Sequence, residues 1–325
     1  MAEWLLHHYA ASPYAEKARL LLGHKRLAWG SIDVPMVPPR PVLQQLLGGF
    51  RRIPVLQRGA DLFCDTRLLP DVLDSVHPER PLMPAPTRAL STLIAQWAEP
   101  RVFLAMGPVR FESRDDLQAL QRAGIHPGEF LRDRAPFMAP AVDTQRSGAA
   151  RDSARDHVLS YLGVLQGLLG EHAFLCGDEP CAADFSAYHT VWWLRAQPRR
   201  EALLSHFTAL AAWADRMALI GHGDAQPRTA DDALQAVRAA QGATAWTPPW
   251  PMVGDTRLRR AVSVVPDDYG RDPVTGVLSA VSDRHVTVTR EVADLGTVRV
   301  HFPKVNYEVV PNEPGLSPLM RTATP

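Results

Sequence analysis

Trp4 to Tyr9 is a short apolar and aromatic run of the length of a buried strand. Ala15 to Leu22 follows with Ala18, Leu21 and Leu22 on one helical face. Pro13 suits the first turn of that helix, where its missing N–H leaves no bond unmade. Gly23 ends it, and Lys25 sits near its negative end. Leu27 to Val34 reads as a second strand. Pro35, Pro38, Pro39 and Pro41 then forbid a regular helix or a central strand. Val42 to Leu47 allows a turn or two of helix before Gly48-Gly49. Ile53 to Gln57 and Leu62 to Cys64 pair as a hairpin across Arg58–Asp61. Asp65 or Thr66 caps a last helix, Leu68 to Ser75. The order β-α-β-α-β-β-α predicts a first domain over residues 1–80.

From Thr87 the period changes to that of helices. Leu90, Leu93, Ile94 and Trp97 share a face, and Met106-Gly107-Pro108 is expected to break that helix. Asp115 to Arg122 reads as a short helix. Gly124 to Pro140 reads as irregular, with one turn of helix at Glu129 to Asp133. Asp152 to Leu169 is a long helix stopped by Gly170, and Leu203 to Leu219 is the last of the set. Residues 87–222 are thus an all-helical domain. Past residue 223, Ala230 to Ala240 is one amphipathic helix and Thr247 to Pro251 an extended segment. Beyond it the period becomes two. Ala261–Val265, Val274–Ala280, Arg284–Arg290, Val298–Phe302 and Tyr307–Val310 all read as strands of a small antiparallel barrel or curled sheet. The fold class is a multidomain α/β plus all-α chain, with residues 223–325 as an extra β-rich domain.

Charge and cysteine content remove several classes of function. The 35 basic and 35 acidic residues cancel. No basic excess speaks for nucleic acid, and no charge or apolar run of roughly 20 residues speaks for a membrane. Three cysteines are too few for a disulfide framework and fit a reducing compartment. With no signal-peptide pattern after Met1, a cytoplasmic location is expected. Asp267, Asp268 and Asp272 lack the ligand spacing of a calcium loop and read as a solvated turn. His7 and His8 are neighbours on a strand and face opposite ways, so they are not a metal pair, and one of them is free to face solvent.

The candidate chemistry lies in three motifs: Ser12-Pro13-Tyr14, Arg52-Ile53-Pro54-Val55-Leu56 and Cys64-Asp65-Thr66. With their spacing, residues 4–78 resemble the thioredoxin-fold N-terminal domain of the glutathione S-transferase superfamily. Phe174 to Phe185, with Asp184 as the acidic member of a capping box and Cys181 in place of its usual hydroxyl residue, resembles that family's second-domain signature. The resemblance implies a cis Ile53-Pro54 bond, with the residue before the proline offering its backbone to the cysteinyl part of glutathione. It also implies that Asp65-Thr66 holds the γ-glutamyl end, with Ser12 at the sulfur. Tyr14 and Arg52 join these as ligand-binding candidates; Arg51 and Arg52 are both in reach of a glycyl carboxylate, with a plain solvated role as the alternative for either. Serine cannot form the mixed disulfide of a redox cysteine. Its hydroxyl can instead donate to a thiolate at the helix N-terminus and favour the ionised form. Ser12 is therefore the catalytic candidate, with Tyr9 as a second hydroxyl, glutathione as co-substrate and a small hydrophobic electrophile as partner. The bland alternative for Ser12 is a helix cap. The resemblance further implies a homodimer and an acceptor cleft walled by Trp97, Arg101 and Phe103. The competing function is a non-catalytic transferase-like scaffold or ligand-binding protein.

Overall fold

In the computed structural model, which describes residues 3–110, 118, 121, 125–135, 148–196 and 203–312, two compact units form. The first gathers residues 1–18, 26–77 and 223–325, and the second residues 19–25 and 78–222.

The first unit is built on one sheet. β1 (Trp4–His8) pairs in parallel with β2 (Ala28–Asp33) and antiparallel with β3 (Val55–Arg58), which pairs antiparallel with β4 (Asp61–Cys64). Helices α1 (Pro13–His24), α2 (Pro41–Leu47) and α3 (Leu69–Val76) connect them in the expected thioredoxin-like order. The five expected C-terminal strands also form: β6 (Ala261–Pro266), β7 (Val274–Val281), β8 (His285–Val292), β9 (Gly296–Pro303) and β10 (Tyr307–Pro311). They pair antiparallel in the order β10-β6-β7-β8-β9.

One feature departs from the expected division into three domains. β9 pairs in parallel with β4, Leu62 opposite Val300, so the C-terminal strands continue the first sheet and do not close on themselves. At the other edge β5 (Asp224–Pro227), which the polar sequence had hidden, pairs in parallel with β2. The physical reason is the edge of β4. Its four residues are all buried, and a bare edge of that kind is a template for another strand. Nine of the ten strands, all but β5, share one apolar core, in which Leu5, Val55 and Leu62 pack in a single cluster with Val286, Val298 and Phe302. Each such fully buried side chain contributes about 1.5–3 kcal/mol. α9 of the chain's helices, Ala230–Ala239, lays Ala233 and Val237 into the same core. Because both faces of β1 are covered, His7 and His8 are both buried; neither faces solvent as the alternation alone allowed.

The second unit is helical: α4 (Arg88–Trp97), α5 (Phe103–Arg110), α6 (Gly148–Leu169), α7 (Ala182–Arg195) and α8 (Thr208–Leu219). α5 runs through Gly107-Pro108, and the irregularity falls earlier, as a π-helical turn over Ala98–Val102. A helix spans 127–135, longer than the single turn expected there, and α8 starts at Thr208, later than expected. The helix expected at Asp115 to Arg122 lies for the most part outside the described residues. The capping box forms. Asp184 accepts from the Cys181 N–H at 3.0 Å, the Leu175 N–H at 2.8 Å and Trp213 Nε1 at 2.8 Å, so one buried carboxylate ties three segments. Burial pushes its carboxyl up, and those N–H donors pull against it. Among the described residues, no helix is long and apolar enough to cross a membrane.

Candidate functional site

Ser12 sits at the start of α1 and is 2% exposed. Its Oγ accepts the Ala15 N–H at 3.1 Å, and its carbonyl accepts the Glu16 N–H at 2.9 Å. The cap reading therefore holds. It does not exhaust the hydroxyl, because a cap uses a lone pair and leaves the proton for donation. Tyr9, the second hydroxyl candidate, packs its ring against the core of the same unit, and Tyr14 is half-buried on the first turn of α1.

The Ile53-Pro54 peptide is cis, immediately before β3. Asp65 follows β4 with φ at 77°, in the left-handed region. Its carboxylate is densely paired. Oδ1 accepts Arg67 N–H and Arg67 Nε, both at 3.0 Å, while Oδ2 accepts Arg67 Nη2 at 2.5 Å and the Tyr307 hydroxyl at 3.1 Å. Burial alone raises such a carboxyl; the Arg67 guanidinium and N–H, with Arg52 nearby, outweigh it and hold Asp65 well below the usual carboxylate range. Thr66 is buried beside it, and its Oγ1 has no hydrogen-bond partner. Arg52 donates to the Asp268 carboxylate and the Tyr269 carbonyl, and its guanidinium lies 4.2 Å from the centre of the Tyr269 ring. Asp268, in an exposed bend, is thus also the ion-pair partner of Arg52. The expected site residues of the first unit are all near strand ends of one sheet, as their motifs implied. What sequence reasoning missed is that Arg67, Asp268, Tyr269 and Tyr307 reach two of them, Arg52 and Asp65, with Asn306 in turn holding Arg67. Of the expected cleft residues, Trp97 meets the Tyr161 ring edge-on at 5.0 Å and Phe103 stacks on Trp193 at 5.3 Å, while Arg101 is exposed.

A second polar cluster lies where β9 joins β4. Asp61 accepts Arg299 Nε at 2.6 Å, Arg299 Nη2 at 3.0 Å, His301 Nε2 at 3.0 Å and the Trp246 N–H at 3.2 Å. His301 Nδ1 meets Thr287 Oγ1 at 3.0 Å, Thr287 Oγ1 meets His285 Nε2 at 3.1 Å, and His285 Nδ1 meets Ser282 Oγ at 2.8 Å. Proton positions follow from the two ends. An ionised Asp61 only accepts, so His301 carries its proton on Nε2 and takes the Thr287 proton at Nδ1. At the far end Ser282 Oγ accepts the N–H groups of Arg284 and His285, so its own proton goes to His285 Nδ1. Both ends give the same direction, with both imidazoles neutral. Trp246 and Trp250 set their rings against His285, at 5.8 and 5.2 Å. The period-two run His285-Val286-Thr287 carries a signal for this cluster, since His285 and Thr287 share a face.

Two family descriptions match the chain: "Glutathione S-transferase, N-terminal domain" over residues 6–81 and "Glutathione S-transferase, C-terminal domain" over residues 148–216. Among solved structures, a GST-like protein from Pseudomonas syringae is similar at 27% identity and a TM-score of 0.77 over 96% of this chain and 100% of that one. That match extends over the C-terminal strands. A tau-class glutathione S-transferase from mango, Mangifera indica, is 16% identical with a TM-score of 0.50, over 66% of this chain and 88% of its own. The beta-etherase LigF from Sphingobium sp. strain SYK-6 is 16% identical with a TM-score of 0.51, over 66% and 94%. These two share the fold.

Proposed function

The chain belongs to the glutathione S-transferase superfamily, and we propose that it is a glutathione transferase-like enzyme in which Ser12 orients the thiolate of glutathione toward a small hydrophobic electrophile. The observation that carries this reading is the Ser12 hydroxyl, buried at the N-terminus of α1 with its oxygen engaged by Ala15 and its proton available. Glutathione would supply the nucleophilic sulfur. Ser12 and the positive end of α1 would favour its ionised form. Ile53 and Pro54 would present the backbone to the cysteinyl part, with Tyr14 bordering it and Arg52 toward the glycyl end. At the γ-glutamyl end the Thr66 hydroxyl, buried and without a partner, fits a carboxylate; Asp65 would face the rest of that group.

Ser12→Ala is expected to lower kcat/KM toward an activated aryl halide by about 100–1,000-fold, in the range of a single lost donor to developing charge. Glutathione affinity, read by calorimetry, should change less than about threefold. Equal and small losses in both would remove Ser12 from the chemistry and leave it as a cap. The second reading, a non-catalytic scaffold, is favoured by one observation: all the ordinary acceptor positions of Asp65 are already filled.

A homodimer is part of the proposal. It is supported by the zero net charge and by Leu90 and Leu93, which are 37% and 67% exposed one turn apart on α4. Sedimentation equilibrium should give twice 35.9 kDa at micromolar concentration; a constant 35.9 kDa up to high concentration would exclude it.

A further inference from the structure

An ionised carboxylate offers about four acceptor positions. On Asp65 four donors fill them, three from Arg67 and one from Tyr307. The arrangement is braced from the C-terminal strands. Arg67 Nη1 donates to Asn306 Oδ1 at 2.8 Å, and Asn306 turns the chain into β10 with φ at 68°. Arg52 is likewise held by Asp268 and Tyr269 in the β6–β7 connection. The Tyr307 hydroxyl is buried deeply enough that its acidity is pushed far down, so it remains a donor. Of the four donors it alone is a neutral side chain; two of the Arg67 bonds come from a charged fork and one from the backbone. Any ammonium arriving at Asp65 has to displace the weakest of them, which is the tyrosine. Thr66 beside it keeps an unpartnered hydroxyl.

We infer that Tyr307 determines ligand specificity at this site: its hydroxyl stands on Asp65 Oδ2 where a ligand ammonium would bind, so a thiol that carries a carboxylate but no free ammonium at the Asp65–Thr66 end binds more tightly than glutathione. The inference rests on the reading that Asp65 and Thr66 belong to a thiol-ligand site. It assigns the C-terminal strands a role in that site: they supply from within the chain the charge-neutral donor that replaces part of the ligand.

The test is calorimetry on the full chain with two probes, glutathione and glutaryl-cysteinyl-glycine, which is glutathione without its amino group. Wild type is expected to bind the glutaryl peptide at least tenfold more tightly than glutathione. Tyr307→Phe, which frees one position on Asp65 and keeps the ring, should tighten glutathione at least tenfold and leave the glutaryl peptide within threefold. If wild type binds glutathione as tightly as the glutaryl peptide or more so, the inference is overturned and the glutathione reading stands. If neither peptide binds either protein at millimolar concentration, both fall. Should Tyr307→Phe fail to fold, the wild-type ratio of the two affinities still tests the preference.

Discussion

Asp61→Ala is expected to cost about 3–5 kcal/mol of unfolding free energy, the range for removing one partner of a buried, hydrogen-bonded ion pair. Asp61 is 4% exposed and takes four donors from two separate segments: the extended segment at Trp246, and β9 through Arg299 and His301. Burial opposes its ionisation. The bonds from His301 and Arg299 outweigh that and bring its acidity to about 2. Alanine leaves the Arg299 guanidinium with no counter-charge at a side chain 19% exposed, and leaves His301 Nε2–H without an acceptor in the interior. It also removes the acceptor at one of the two ends that set the direction of the Ser282–His285–Thr287–His301 chain. Asp61→Asn keeps an acceptor for His301 but not the charge facing Arg299, so it should fall between wild type and alanine. Urea midpoints at pH 7.5 measure both. A loss under about 1 kcal/mol for alanine would show that β9 holds to β4 by its backbone ladder and apolar face alone.

The local pattern made nearly every element of both units legible, because each carries its own period. The alternation in Val298 to Phe302 and the helical spacing of Leu90 to Trp97 are written in neighbouring residues. What was not legible is pairing between distant segments. Nothing in Leu62-Phe63-Cys64 states that the strand beside it is β9, some 230 residues on, and nothing in Asp224 to Pro227, polar and exposed throughout, marks a strand until β2 is placed next to it. The site shows the same division. Ser12, Ile53-Pro54 and Asp65-Thr66 were found because each motif is short and lies next to the strand or helix that positions it. Tyr307, Asn306 and Asp268 were not, because their roles exist only once β10 and the β6–β7 connection are brought back to the end of β4. The aspartate turn is solvated as its sequence suggests, but that Asp268 also pairs with Arg52 is visible only once the two segments are set together.

Acidification should destabilise the first unit before its carboxylates begin to protonate. Three buried histidines set this. Burial lowers His285 to about 3, with the neighbouring His301 adding to the effect. Burial lowers His7 to about 4 against the Gln57 bond that raises it, and lowers His301 against the pull of Asp61. The geometry gives the same answer independently. Gln57 Nε2 donates to the carbonyls of Gly59 and Ala233, so its Oε1 accepts the proton of His7 Nε2, and the buried His7 Nδ1 has no partner for a second proton, while the proton chain from Ser282 to Asp61 is complete with neutral imidazoles. A histidine lowered on folding is protonated first in the unfolded chain, whose value is near 6.5. Between the two values the unfolded state holds the extra proton, so stability is full above about 6.5 and falls as pH falls. Each such group contributes about 1.4 kcal/mol per pH unit. With His7 and His285 both neutral in the fold down to about 4, the slope should approach about 3 kcal/mol per unit near pH 5. Asp61 acts in the opposite range: its contribution is intact above about 4 and is lost only toward about 2. Urea unfolding at pH 8, 6, 5 and 4.5 should therefore show midpoints that are level at the top and fall steeply below 6. His285→Gln, which keeps a hydrogen-bonding side chain and titrates nowhere in that range, should reduce the slope by about 1.4 kcal/mol per unit. Midpoints that stay constant from pH 6.5 to 4.5 would mean that these imidazoles take up protons in place, and that the chain from Ser282 to Asp61 can reverse without breaking.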